Sequence, residues 1–245
     1  MTIYAIINQK GGTGKTTTAI NLGTALASLG KKVLLIDLDP QANLTYSFGI
    51  KPKYSIVEVL QGLQTLQTIL IEKEGLYIAP GSLALADLEV NLINKLGREQ
   101  ILKERLKGLT GFDYVFIDNP PSLSLLTVNA LTCSNEVLIP LQMEVLALEG
   151  LQNLLKTIAE VKGILNKGLK VAGIIPVMFD NRRKLSKEIL AEINKNIKEK
   201  IFKTVIRECV RVAEAPSFSK SVIGYSKRST GAEDYLKLAK EFIKG

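Results

Sequence analysis

Histidine and tryptophan are absent from the 245 residues, only two cysteines occur, and aromatic residues make up 6%. Without histidine, neither Ser-His-Asp nor Cys-His chemistry nor a His-ligated metal can be assembled. Cys133 and Cys209 lie far apart and form no C-x-x-C pair, which argues against a zinc site or disulfide framework and predicts two small buried thiols. No apolar stretch approaches the ~18 uncharged residues of a spanning helix, and Met1-Thr2-Ile3 leads straight into a strand with no basic, apolar leader. A soluble, cytoplasmic protein is therefore expected. Its chemistry has to run on carboxylates, lysines, backbone amides and a bound metal ion.

Hydrophobic residues make up 46% of the chain, enough to bury one large core. Apolar runs bounded by turn residues predict strands at Ile3 to Asn8, Val33 to Asp37, Leu76 to Pro80, Tyr114 to Asp118, Glu136 to Pro140 and Lys170 to Pro176. Helical patterns fall between and after them at Thr16 to Leu29, Leu85 to Leu106, Ser124 to Leu131, Glu144 to Leu165, Lys184 to Lys200 and Ala232 to Ile243. This alternation predicts an α/β fold, a mostly parallel twisted sheet flanked by helices on both faces, with ligands at the carboxyl ends of the strands. No linker, repeat or composition break divides residues 1–245, so a single domain is expected. The least regular region, Tyr46 to Lys73, reads as a mobile insertion.

The densest signal follows the first strand: Gln9-Lys10-Gly11-Gly12-Thr13-Gly14-Lys15-Thr16-Thr17. Glycines let backbone N–H groups converge on phosphate oxygens, Lys15 reaches the terminal phosphates and the Thr16 hydroxyl is the expected Mg2+ ligand. Thr16 also opens a helix whose N-terminal amides favour phosphate. Gln9 replaces the first glycine of the general G-x-x-x-x-G-K-[ST] pattern, and Lys10 is an additional lysine that a glycine turn does not explain.

Two further strands end in carboxylates. Val33 to Ile36 runs into Asp37-Leu38-Asp39-Pro40-Gln41, and period two places Asp37 and Asp39 on one side if the strand persists that far. A carboxylate there can orient or deprotonate the water that attacks a γ-phosphate. Tyr114 to Ile117 is followed by Asp118-Asn119-Pro120-Pro121-Ser122, in which Asp118 has the Walker B position and holds Mg2+ directly or through water.

Charge is distributed unevenly. Residues 1–150 hold 12 Lys and Arg against 14 Asp and Glu, whereas residues 151–245 hold 20 against 10. A one-sided basic surface is the footprint of a polyanion partner. The candidate contacts are Arg182, Arg183, Lys184 and Lys187, then Arg207 and Arg211, then Lys220, Lys227 and Arg228. Few aromatics accompany them, which favours the duplex backbone over stacking on single strands.

Read as K-G-G-T-G-K-T-T, the loop matches the deviant Walker A motif, and the chain resembles the ParA/Soj-type partition ATPases of the ParA/MinD group along nearly its whole length. Further matches are Asp39-Pro40-Gln41, Asp118 through Ser122 as D-x-P-P-S, Glu144 to Leu151 as E-x-x-A-L-E-G-L, Val210 to Ser217 as V-R-L-S-E-A-P-S, and Gly231-Ala232-Glu233. The resemblance implies a single P-loop domain that binds ATP and Mg2+, closes into an ATP-dependent sandwich homodimer, binds double-stranded DNA without sequence preference and hydrolyses ATP slowly until a ParB-type activator stimulates it. A cytoplasmic, nucleoid-associated protein without an N-terminal DNA-binding extension is implied. Lys10 would act across the dimer interface, Lys15 and Thr16 on phosphate and Mg2+, Asp39 on the attacking water and near the metal, and Asp118 as the Walker B carboxylate. Gly11, Gly12, Thr13, Gly14 and Thr17 complete the phosphate loop, with Met178, Pro216, Ser217 and Phe218 near adenine. Where the family commonly reads I-P-R-N-V-R-L, this chain has Ile206 to Val212 with Glu208 at the first arginine, and Arg207 is the neighbouring substitute.

The alternative within the group is a MinD-like ATPase that cycles on a membrane. It requires a basic amphipathic C-terminal helix, and Tyr235 to Ile243 has that character, although its apolar residues can equally pack on the sheet. An iron–sulfur ATPase of the nitrogenase iron-protein kind needs a ligand cysteine pair that Cys133 and Cys209 do not provide.

Overall fold

The computed structural model describes residues 1–244. Its strands are β1 (Thr2–Ile6), β2 (Val33–Asp37), β3 (Ile71–Lys73), β4 (Leu76–Ala79), β5 (Tyr114–Asp118), β6 (Glu136–Gln142) and β7 (Lys170–Val177). They form one sheet in the order β3-β4-β2-β5-β1-β6-β7, parallel throughout except for the β3–β4 pair at one edge. β2 and β5 are apolar without interruption before their terminal aspartates because both faces of the sheet are covered.

Alternate side chains feed two cores. Ile3, Ala5, Leu34, Ile36, Val115, Ile117, Val137 and Ile139 pack on one side, under helices that include Leu85–Leu92, Leu125–Cys133, Ala147–Ile164 and Lys184–Asn196. Tyr4, Ile6, Val33, Leu35, Phe116 and Leu138 pack on the other, under Lys15–Ser28 and Thr230–Lys244. The last helix buries Ala232, Tyr235, Leu238, Ala239 and Phe242 in this second core, so its apolar face is already occupied. Among the described residues, no helix is long and apolar enough to cross a membrane.

Register levels the three central strands at their carboxyl ends: Ile6 lies beside Asp118, and Asp118 beside Asp37. The phosphate loop leaves β1 at that level, which places it against both carboxylates.

Three sequence expectations change. Tyr46 to Lys73 is not a mobile insertion: it holds the helices Ile56–Gln61 and Leu66–Ile69 and β3, and it buries Ile56, Val57, Val59, Leu60, Leu66 and Ile69 in the first core. Its elements are too short to establish a helical period, although Ser55 and Glu58 form a complete capping box. The helix expected over Leu85 to Leu106 is interrupted. It ends at Leu92, and a left-handed Gly97 precedes a 3-10 turn and the helix Ile101–Arg105. Finally, β2 stops at Asp37, so strand alternation does not set the direction of Asp39. Cys133 and Cys209 are free, half-buried thiols.

Candidate nucleotide site at the carboxyl edge of the sheet

Gly12 and Gly14 both have φ of +74°, a conformation that only glycine adopts cheaply, and the helix Lys15–Ser28 begins directly behind them. The loop's curvature is fixed from within. Asn8 donates from Nδ2 to the Pro140 carbonyl at 2.8 Å and accepts the Lys10 backbone N–H at 3.0 Å, while the Thr13 hydroxyl donates to the Lys10 carbonyl at 3.2 Å. A Cβ at Gly11 or Gly12 would meet nothing within 4 Å, so the loop's outer surface is open.

The two lysines of this loop have opposite environments. Lys15 is only 6% exposed and curls back to donate to the Lys10 carbonyl at 3.3 Å. Burial lowers its pKa from the ordinary lysine value, against the attraction of Asp118 and Asp39. Lys10 projects outward and is ion-paired with Glu144, and both side chains remain substantially exposed. Glu144 opens the segment noted above for its E-x-x-A-L-E-G-L pattern, and that pattern was the signal for its presence here. Asn8 gave no separate signal beyond its position just before the loop.

Asp118 is fully buried, and neither carboxylate oxygen has a hydrogen-bond partner. Its pKa is well above the ordinary carboxylate value, first through burial and then through Asp37, with Thr16 and Lys15 pulling the other way. Asp37 is equally buried. One oxygen accepts the Thr45 N–H at 2.9 Å and the Thr45 hydroxyl at 2.6 Å, the other is unpartnered, and burial pushes its pKa up to about 6. Asp39, 5% exposed, accepts the Gln41 N–H at 2.9 Å in a tight local turn. Isolated anions at this depth cost several kcal/mol unless a cation neutralises them. The vacant acceptors of Asp118, next to Thr16 and Lys15, suit a hard divalent cation. Among the described residues, no three carboxylate or thiol side chains converge on a metal-sized point, so the remaining ligands of such an ion have to come from phosphate and water.

Met178 has φ of +50°, and its methyl group would lie 3.8 Å from a Cβ placed on Gly14. Pro216 lines a small cavity of about 30 Å3 with Thr16, Thr17, Ile20 and Asn21. Ser217 and Phe218 are exposed on the following turn, and the Phe218 ring stacks on Tyr225 with centroids 4.7 Å apart. The Asn21 side chain accepts the Val222 N–H at 2.8 Å, which ties this C-terminal segment to the phosphate-loop helix.

Comparison with known proteins agrees with this geometry. A family profile described as an AAA domain matches residues 1–171. The chain is 45% identical to the sporulation initiation inhibitor protein Soj of Bacillus subtilis over 98% of its own length and 97% of that protein's. The chain belongs to the ParA/Soj family of partition ATPases. It is also 43% identical to the chromosome partitioning protein ParA of Caulobacter vibrioides, covering 98% of this chain and 93% of that one. Among solved structures, a cobyrinic acid a,c-diamide synthase from Mycobacterium smegmatis with bound ATP analogue and magnesium superposes with a TM-score of 0.87 at 36% identity, covering 100% and 95% of the two chains. ATP and Mg2+ are the ligands of this P-loop ATPase family, and the buried carboxylate and glycine loop fit both.

The basic residues of the outer flank are placed differently. Arg182 forms a two-pronged pair with Asp180 at 3.0 Å, which Arg183 joins at 3.4 Å, and the Asp180 carboxyl is held down at about 2 by Arg182. Lys184 pairs with Glu188, and Arg211 with Glu214, which also accepts the Tyr225 hydroxyl. Arg207 donates its backbone N–H and two guanidinium N–H groups to the buried Asp234 at 2.7 to 3.0 Å. That geometry anchors the last helix, so Arg207 is not a free replacement for the arginine missing at Glu208. Lys187, Lys220, Lys227 and Arg228 are exposed and without an ion pair among the described residues.

Proposed function

We propose that the chain is a DNA-partition ATPase in which ATP closes two copies face to face and the closed dimer binds duplex DNA until a ParB-type partner triggers hydrolysis. The observation that carries this reading is the division of labour between the two loop lysines. Lys15 is buried against its own loop, whereas Lys10 stands outward beside glycines with open space in front of them. An outward lysine at a phosphate loop has work to do on a phosphate that is not held by its own subunit.

The surroundings support closure. Leu83, Leu123, Val145, Leu146 and Met178, on loops that follow β4, β5, β6 and β7, are 38% to 71% exposed. Val145 and Leu146 line a cleft with Lys10 and Thr13, and Met178 lies beside Gly14, so exposed apolar surface of the kind that marks a protein contact borders the phosphate loop. Burying that surface against a second copy would also exclude water from the site and strengthen every electrostatic interaction there.

Within the closed site, Lys15 and the amides at the start of its helix neutralise the terminal phosphates, and Thr16 with Asp118 would hold Mg2+. That ion draws charge from the phosphates when bound. Asp39 orients the attacking water. Glu144 gives up Lys10 to the γ-phosphate of the neighbouring copy, which makes closure dependent on a triphosphate. Intrinsic turnover is slow until the activator engages, as suits a timer for release from DNA. Met178 and Pro216 to Phe218 border the base. The excess positive charge of residues 151–245 then faces DNA, and the protein is expected on the nucleoid.

Binding of random-sequence duplex DNA with ATP, with ADP and without nucleotide, across a salt series, tests the reading. ATP-dependent binding by a dimer that weakens steeply with salt is the expected result. Equal binding in all three states, or none in any, overturns it.

A further inference from the structure

Asp39 lies inside a loop that one buried hydroxyl closes. Asp37 ends β2, the helix Asn43–Ser47 follows shortly after, and Thr45 joins the two. The Thr45 N–H and its Oγ1 both donate to the same Asp37 oxygen, at 2.9 and 2.6 Å, and Oγ1 accepts the Gly81 N–H at 2.8 Å from the loop behind β4. Only glycine fits there, because a Cβ on Gly81 would lie 2.9 Å from both the Asp37 carboxyl carbon and the Asp37 carbonyl oxygen. From this arrangement we infer that Thr45 is a positioning residue for hydrolysis, the pin that holds the Asp39 turn in place at the carboxyl end of β2.

The turn is shaped from within but located from outside. The Asp39 carboxylate accepts the Gln41 N–H, and the Asp39 carbonyl accepts the Ala42 N–H at 2.8 Å; both bonds move with the turn and do not fix where it sits. Its entry is held by Leu38, whose N–H bonds the Asp118 carbonyl at 3.0 Å. Its exit runs through Ala42 at φ +50°, a left-handed conformation that a residue other than glycine keeps only where its surroundings impose it. Leu44 and Phe48 bury the following helix in the second core, but apolar packing is non-directional. The Thr45 hydroxyl is directional: it donates to Asp37 and accepts from Gly81, which leaves it one geometry. Both of those bonds go to protein groups, so Thr45 acts through Asp39 and not on the nucleotide. The orientation of an attacking water tolerates little error, and a misplacement of about 1 Å from a change away from the chemistry can cost about 10^2-fold in rate.

This inference rests on the reading of Asp39 as the group that orients the attacking water, and a double-mutant cycle separates the two. Single-turnover hydrolysis at saturating MgATP is measured for the wild type, Thr45→Val, Thr45→Ser, Asp39→Ala and Asp39→Ala/Thr45→Val, with affinity for a fluorescent ATP analogue read in parallel. Thr45→Val keeps the shape of the side chain without its hydroxyl and should slow hydrolysis by about 10- to 100-fold while nucleotide affinity changes little. Thr45→Ser keeps the hydroxyl and should recover most of the rate. Because Thr45 acts through Asp39, the double variant should be no slower than Asp39→Ala alone. Thr45→Val at the wild-type rate, or a slowing by the same factor with and without Asp39, overturns the inference and leaves Asp39 in its role. Asp39→Ala at the wild-type rate removes the parent reading, and the pin with it. Melting curves establish that each variant is folded at the assay temperature; should Thr45→Val fail that check, Thr45→Cys, with a weakly hydrogen-bonding thiol for the hydroxyl, takes its place in the cycle.

Discussion

Lys15 and Arg182 are both cations close to aspartates, yet the structure treats them in opposite ways. At the carboxyl edge of the sheet Lys15 is buried, Asp118 is fully buried with two vacant oxygens, and Asp37 keeps one vacant oxygen. On the outer flank the Arg182 side chain is 90% exposed and matches both oxygens of Asp180. A charge that is buried and unmatched stores unfavourable free energy that a ligand can release, whereas an exposed, matched pair is nearly neutral in its consequences. Function at the first site can thus be read from what its side chains lack. At the second, only residues left out of the pairing, such as Lys187, Lys227 and Arg228, carry information.

Removing Asp39 should give the largest effect. Asp39→Ala is expected to bind MgATP and dimerise while single-turnover hydrolysis falls by about 10^2- to 10^4-fold, the usual contribution of a positioned acid or base. Hydrolysis at the wild-type rate would take Asp39 out of the mechanism and leave the edge with a binding role only.

Asp234→Ala probes the one strong pair of the flank. It strands the Arg207 guanidinium, itself one-third exposed, so chemical denaturation should show a loss of about 2 kcal/mol, below the full cost of breaking a buried pair. A change near zero would place this pair with Arg182 and Asp180 and erase the distinction between anchoring and surface pairs.

The smallest effect is a gain. Asp37→Asn removes one of two facing carboxylates while keeping an oxygen for Thr45, and should stabilise the nucleotide-free protein at pH 7 by on the order of 1 kcal/mol. Burial raises the Asp37 pKa from 3.8 to about 6, so the folded state pays for the charged form above that pH and not below the unfolded value. The gain should therefore be full above about pH 6 and vanish by about pH 4. Melting curves of both proteins across that range check it, and a gain independent of pH would show that the cost of charge at this site is not electrostatic.

Much of this was legible in the sequence because it is local. The glycine loop with its lysines, the two strands ending in Asp37 and Asp118, and six of the seven strands follow from short-range pattern. β3 escaped because three residues of antiparallel edge are too few to show alternation. The break at Gly97 escaped because apolar residues on either side continue a helical rhythm that the backbone does not follow. Asp39 was found by its motif, and its position comes from a turn, not from the strand that the alternation argument assumed.

The sequence by itself determined the chemistry available: no histidine, a phosphate loop with a second lysine, carboxylates at strand ends, and an excess of positive charge after residue 150. Only the tertiary structure decided which charges are free to act. Parallel register set Asp118 beside Asp37 and the loop, long-range packing brought Glu144 to Lys10 across 134 residues, and the last helix carried Asp234 to Arg207. Whether a charge is spent or available depends on its neighbours in space, and those are set by the fold, not by position along the chain.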